Sequence, residues 1–226
     1  MKKIPCYILM FDLASHITGW CVYDVRAGKP LEHGVITVDR DMDCPDFTLF
    51  NDLSALIRAK NMQYDDLMVS TEAMPTQLRG GSSTIKTFVA MARAHCDLDL
   101  ACKIEGVPVY DHIGVYPAST YAYIKKLTGK PSDAKVGKDD IKSYISSFFG
   151  IDPATLAYDE SDAIFLAKTL VDVKWDNDIR ERVRELKRHK KELKSDNGKS
   201  EVDREIAEEL SGLLHSTLIA RIPPPL

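Results

Sequence analysis

An apolar run bounded by an acidic residue occurs three times in this chain, and the pattern restricts the possible folds more than any other feature. Tyr7-Ile8-Leu9-Met10-Phe11 stops at Asp12, Leu67-Met68-Val69-Ser70-Thr71 stops at Glu72, and Asp159 with Asp162 leads into Ala163-Ile164-Phe165-Leu166-Ala167. An acid just past a buried strand is held by a rigid scaffold yet stays open to solvent, at the strand end where ligands of α/β sheets bind. If the three segments converge, the four carboxylates form a cage for divalent metal.

The remaining periodicity supplies the frame. Residues 6–11 are continuously apolar, while 18–25 and 34–38 are rich in β-branched and aromatic residues and are separated by Ala27-Gly28-Lys29-Pro30, so three antiparallel strands are expected. Asp46 heads a stretch in which Leu49, Phe50, Leu53, Leu56 and Ile57 recur at three and four residues, which predicts a helix. The run at 67–71 then returns as a parallel strand. A second helix over about 82–103 carries Ile85, Phe88, Val89, Ala92 and Cys96 on one face, and Val107-Pro108-Val109-Tyr110 is expected to add a fifth strand. Helices are predicted at 118–127, 138–149 and 160–171. The order βββ-α-β-α-β-α implies an α/β fold: a mixed five-stranded sheet, three antiparallel then two parallel strands, flanked by helices, with the first strand central and Asp12 at its carboxyl end.

Past residue 173 the pattern changes. Ile179, Val183, Leu186 and Leu193 recur near heptad spacing, a polar Ser195–Ser200 segment follows, and then come Val202, Ile206, Leu210, Leu213 and Thr217. A C-terminal helical hairpin is expected, with a basic first arm and a second that begins acidic (Glu201, Asp203, Glu205, Glu208, Glu209). Opposite charges pairing across such a hairpin explain the runs; DNA-backbone contact or dimerisation are the alternatives. The domains implied are 1–172 and a helical extension, 173–226.

Length and composition, 226 residues and 44% apolar, suit one α/β domain with an appendage. A net charge of −4 excludes a wholly basic nucleic-acid binder, so any DNA contact must come from local patches. The five cysteines form no Cys-x-x-Cys pair and fall mostly in apolar runs, as reduced thiols do. With no signal-peptide core and no membrane-length apolar run, a cytoplasmic protein is expected.

Each acid has an ordinary alternative: Asp12 as a turn residue, Glu72 as a surface glutamate, Asp159 and Asp162 as a helix cap. Capping and metal ligation are compatible, because residues three apart on a helix share a face. No competing nucleophile motif is present. Phosphodiester hydrolysis develops negative charge on the attacking and leaving oxygens, and two magnesium ions about 4 Å apart stabilise both. Magnesium takes hard oxygen ligands, which is why three or four carboxylates serve where histidine or thiolate would not. The six histidines have no metal-ligand spacing; His16, His33 and His112 read as surface or edge residues, and Trp20 as core.

These residues resemble the RuvC-like Holliday junction resolvases of the RNase H-like superfamily, in particular short phage-type forms. Phe11-Asp12-Leu13-Ala14-Ser15-His16-Ile17-Thr18-Gly19-Trp20 is similar to the family's first-strand motif, and Glu72 stands where its second acid ends a strand. Tyr116-Pro117, Lys125-Lys126-Leu127-Thr128-Gly129-Lys130, Ala134-Lys135 and Lys138 resemble its lysine segment, and Asp159-Glu160-Ser161-Asp162-Ala163 its closing Asp-x-x-Asp-Ala. The resemblance spans roughly 4–172. It implies a homodimer that binds a four-way DNA junction and nicks opposed strands by Mg2+-dependent hydrolysis, with two ions per site and Mn2+ able to substitute. Asp12, Glu72, Asp159 and Asp162 would hold the metals, Asp12 bridging both. Lys125, Lys126, Lys135 and Lys138 would lie near the scissile strand. Arg79, in the Gly-rich loop 76–84, would meet phosphate at a helix start.

Two departures stand out: residues 73–81 carry no aromatic that could stack on junction bases, leaving Met74 or Leu78, and the helix at 82–103 that dimerises in relatives contains His95, Asp97 and Asp99. The alternatives are a flap or packaging nuclease or an RNase H, an actin-like ATPase, for which a second phosphate loop is missing, and a non-catalytic DNA-binding protein of the same fold.

Overall fold

The computed structural model describes residues 5–14, 16–38, 45–74, 85–109, 117–192 and 198–207. Strand β1 (Tyr7–Asp12) lies inside the sheet, between β2 (Ile17–Asp24) and β4 (Leu67–Thr71), with β3 (Lys29–Thr37) beyond β2, in the order β3-β2-β1-β4. β1 is antiparallel to β2 and parallel to β4, with Asp12 opposite Gly19 and Phe11 beside Thr71. The continuous apolar run has a direct cause: Ile8, Leu9, Met10 and Phe11 are fully buried because both faces of β1 are covered.

Side chains alternate between two cores. Leu9 and Phe11 join Val22, Leu53, Ile57 and Val69 beneath α1 (Pro45–Gln63) and α2 (Ile85–Glu105). Ile8 and Met10 join Ile124, Ile145, Ile164 and Phe165, carried by α3 (Pro117–Thr128), α4 (Lys138–Phe149) and α5 (Tyr158–Thr169). A π-helical stretch, Leu170–Trp175, leads directly from α5 into α6 (Asp176–Glu192), and Trp175 is still buried in the second core. Among the described residues no helix is long and apolar enough to cross a membrane.

The structure corrects three expectations. Among the described residues the sheet has four strands, not five: the segment at 107–110 contributes one isolated parallel bridge, Val69 to Val109, and one hydrogen bond, from the Val69 N–H to the Pro108 carbonyl. Pro108 has no N–H to extend a ladder. The expected break at Ala27–Pro30 is shorter, since β3 already starts at Lys29 and takes Pro30 in opposite Tyr23, next to a register shift at Val22/Tyr23. An edge strand tolerates proline because one side of it has no ladder to break. The last core helix starts at Tyr158 instead of 160, which changes its cap, as described below.

In the C-terminal segment, residues 198–207 are helical, Lys190 pairs with Asp203, and Val183, Leu186 and Val202 are buried. The rest of the expected hairpin, 193–197 and 208–226, falls outside the described residues.

One buried ion pair stabilises the helical layer. Lys168 and Asp172, 1% and 3% exposed, meet at 2.7 Å, the Tyr123 hydroxyl donates to the same Asp172 oxygen at 2.5 Å, and the Lys168 ammonium sits 4.4 Å from the Phe148 ring centroid. Removing one partner leaves the other charge buried without compensation. Asp172→Ala is therefore expected to lower stability by about 3–5 kcal/mol, read from urea unfolding, whereas Lys168→Met with Asp172→Leu should lose far less.

Candidate active site

β1 and β4 are neighbouring parallel strands, so their carboxyl ends lie together and place Asp12 near Glu72. The start of α5 reaches the same point because Gly19 of β2 lets it. A Cβ on Gly19 would lie 2.0 Å from the Asp159 carbonyl oxygen, so the helix backbone rests where any other side chain would stand. That contact explains the glycine in the Thr18-Gly19-Trp20 motif, a role the sequence pattern did not disclose. Trp20 uses a similar vacancy, its ring covering Gly34 across the strand pair.

Asp159 and Asp162 stand on the first turns of α5 but do not cap it. Glu160 does: its Oε2 accepts from the Ala157 N–H at 2.7 Å, and its Oε1 lies 3.3 Å from His33 Nδ1. Because the helix starts at Tyr158, the capping acid is the one between the two aspartates, which leaves both aspartates to face the site. Asp12, Asp159 and Asp162 each offer an oxygen within 4.8 Å of the other two. Glu72 stands outside that trio but lines the same cavity of about 200 Å³, with Asp12, Asp162, Lys138, Thr120, Tyr121, Ile141 and Leu166.

The electrostatics are those of crowded, partly buried carboxylates. Burial, then the neighbouring Asp162, push Asp12 up to about 7, with Lys138 opposing and Asp159 adding to the rise. Burial, then Asp12 and Asp162, push Glu72 up to about 7 as well. Asp162 is also raised, by burial first. Lys138, the first residue of α4, meets Asp159 Oδ1 at 3.0 Å and Asp162 Oδ2 at 3.1 Å. Burial would lower its pKa, but these two acids outweigh burial and the net shift is upward.

One atom shows that a single ammonium does not satisfy the cluster. Asp162 Oδ1 is buried with no hydrogen-bond partner among the described residues. A buried carboxylate oxygen in that state carries a substantial cost unless a donor or cation meets it. The donor set is oxygen only, which suits hard divalent cations such as Mg2+ or Mn2+.

Of the expected DNA-contacting residues that the structure describes, Lys138 alone stands among the acids. Lys125 donates to the Ser132 carbonyl at 2.5 Å and so ties down the turn after α3; Lys126 and Lys135 are exposed, and none of the three lines the cavity. Arg79 lies outside the described residues, as do the loop 75–84 and His112. Sequence reasoning did not single out Thr120, Tyr121, Ile141 or Leu166; their helical spacing reads only as ordinary amphipathic pattern.

These raised carboxyls carry a prediction for cation uptake. In the cation-free protein near neutral pH, Asp12 and Glu72 hold part of their protons, and a cation must displace them. Apparent affinity for Mn2+, measured by titration, is expected to rise between pH 6 and 8 by up to about tenfold per unit for each carboxyl that must ionise, and to flatten above that range.

No family model matches the chain, and no curated protein does. Among solved structures, Thermus thermophilus RuvC in complex with Holliday junction substrate superposes with a TM-score of 0.54 at 14% identity, over 72% of this chain and 90% of that one. A second Thermus thermophilus RuvC structure gives 0.51 at 14% identity, over 72% and 92%. The yeast mitochondrial Holliday junction resolvase Ydc2 gives 0.48 at 16% identity, over 75% and 80%. Sheet order, flanking helices and the superposition over 90% of RuvC together identify the fold: a mixed sheet between helical layers, the RuvC-like form of the RNase H-like α/β class.

Proposed function

We propose that this protein is a metal-dependent endodeoxyribonuclease that resolves four-way DNA junctions, with a nuclease domain over 1–172 and a helical extension over 173–226. The observation that carries the reading is the meeting of Asp12, Asp159 and Asp162, with Glu72 in the same cavity and Asp162 Oδ1 left without a partner, at the end of a RuvC-like sheet. Bound divalent ions, Mg2+ by preference, would supply charge neutralisation at the scissile phosphate and a water of lowered pKa.

The chain's own residues do the rest. Asp12, on the rigid central strand, fixes the position to which the others are referred. Glu72 reaches the cavity from the end of β4, and Asp162 lines it from α5 with Asp159 clustered beside it. Lys138 holds the aspartates together before substrate arrives, and its ammonium lines the cavity that the phosphate would enter. Ile141 and Leu166 present an apolar wall that limits water at the site.

The reading extends to a homodimer. α2 leaves Ile85, Val89, Leu100 and Ile104 exposed, at 72%, 41%, 49% and 58%, an apolar stripe along a helix that a second copy would cover.

Cleavage of a mobile four-way junction, a flap, a linear duplex and an RNA–DNA hybrid, each with Mg2+ and with chelator, tests the proposal. Preferential, paired nicking of the junction is expected. Cutting restricted to flaps or hybrids would reassign the substrate, and cutting that persists in Asp12→Asn would remove this site from the reaction.

A further inference from the structure

The cavity lining is of two kinds, charged and apolar, and one apolar member, Tyr121, has no part in the function described above. Asp12, Glu72, Asp162 and Lys138 line it with charge, and Ile141, Leu166 and the Tyr121 ring line it with apolar surface. A site for inorganic phosphate or water alone has no need of an aromatic wall. A phosphodiester inside a DNA strand is divided in the same way as the cavity, a charged group with flat apolar rings on either side.

Tyr121 is not needed to hold its helix. α3 packs through Thr120, Tyr123 and Ile124, all buried, with Leu127 partly buried behind them. Tyr123 is further fixed by stacking on Phe165 and by its bond to Asp172. Tyr121, one position on from Thr120, is turned about 100° off that face. It is 47% exposed, and among the described residues no hydrogen bond or ring contact engages it. A large ring left half-exposed at the rim of a carboxylate cavity is placed to be covered by a ligand.

We infer that Tyr121 contacts substrate, its ring stacking on the nucleobase next to the scissile phosphate and so setting that phosphate against the acids. The inference rests on the nuclease reading and deepens it. Stacking tolerates any base, because every base has a π-face, so the contact positions the strand without selecting sequence.

The test couples the ring to the base. Four-way junctions are made intact and with an abasic unit on the 5′ or the 3′ side of the cut mapped for the wild type. Binding is followed by anisotropy in Ca2+, and cleavage in Mg2+ under single turnover. Tyr121→Ala is expected to lose roughly 5- to 100-fold on the intact junction while Tyr121→Phe, which keeps the ring, stays within about twofold. One of the two abasic units should cost the wild type a similar factor and cost Tyr121→Ala nothing further. Mn2+ binding should be unchanged in both variants.

Equal losses for Tyr121→Ala on the intact and both abasic junctions overturn the stacking assignment and leave the nuclease reading standing. So does a Tyr121→Phe variant as deficient as Tyr121→Ala, or a Tyr121→Ala protein that fails to fold. A wild type that neither binds nor cuts branched DNA overturns both.

Discussion

Asp12→Asn is expected to abolish junction cleavage while making the cation-free protein more stable. The two effects have one origin. Asp12 ends the central strand, and burial of its carboxyl, then the neighbouring Asp162 and Asp159, push it up to about 7. In the unfolded chain the group ionises near 3.8. Between those values the folded state holds a proton that the unfolded state releases, so stability falls as pH rises through that window and stays lowered above it. Asparagine removes the charge and with it the cost. At pH 8 the variant should gain on the order of 1–3 kcal/mol, and at pH 4 to 5 much less, read as melting temperature or urea midpoint. Catalysis should drop on the order of 10³-fold or more, since several kcal/mol of charge stabilisation depend on ions that this carboxylate helps to hold. Saturating Mn2+ should raise the melting temperature of the wild type and leave the variant nearly unchanged. A variant no more stable than wild type at pH 8 would mean that the carboxylates are better solvated than the structure has them.

Gly19→Ala is expected to disable the site from the opposite strand without altering any ligand. The added methyl would stand 2.0 Å from the Asp159 carbonyl oxygen and 2.4 Å from its carbonyl carbon. Both are backbone atoms, so no side-chain rotation relieves the clash. Either β2 bows or the start of α5 lifts away, and α5 carries two of the three clustered carboxylates. Overpacking of this kind costs about 1–3 kcal/mol, occasionally more. The larger loss should be functional, because a displacement of about 1 Å at a reacting centre costs about 10²-fold. Cleavage should therefore fall by about two orders of magnitude or more and Mn2+ affinity should fall with it, whereas Gly137→Ala, where a Cβ meets nothing within 4 Å, should leave both close to wild type. Unchanged Mn2+ affinity in Gly19→Ala would show that α5 can reseat.

How far these residues could be understood before the structure depended on what kind of interaction placed them. β1 was readable as central because a strand covered on both faces must be apolar at every position. The acids stand out in the sequence because Asp12 and Glu72 each follow an apolar run and Asp159 with Asp162 lead into one. The fifth strand was not, since the apolar character of Val107 and Val109 is visible in sequence while the missing donor of Pro108 matters only once pairing begins. Pro30 misled in the opposite direction, reading as a turn when an edge strand had room for it. At 159–162 the pattern of acids permitted two roles, and only the true helix start, Tyr158, separates the cap Glu160 from Asp159 and Asp162. Gly19 and Tyr121 are tertiary by nature: the first matters for what comes near it, the second for what does not.

Lys138 gives the protein an internal placeholder. A chain emerging from the ribosome must bring three carboxylates together, with a fourth close by, before any particular ion is guaranteed to be there, and the ammonium bridging Asp159 and Asp162 supplies one positive charge from the polypeptide itself. Assembly and arming thus become separate events. The protein should survive cycles of chelation and reloading with its fold intact, and under the proposed function control over cleavage would pass from protein folding to the supply of a small ion.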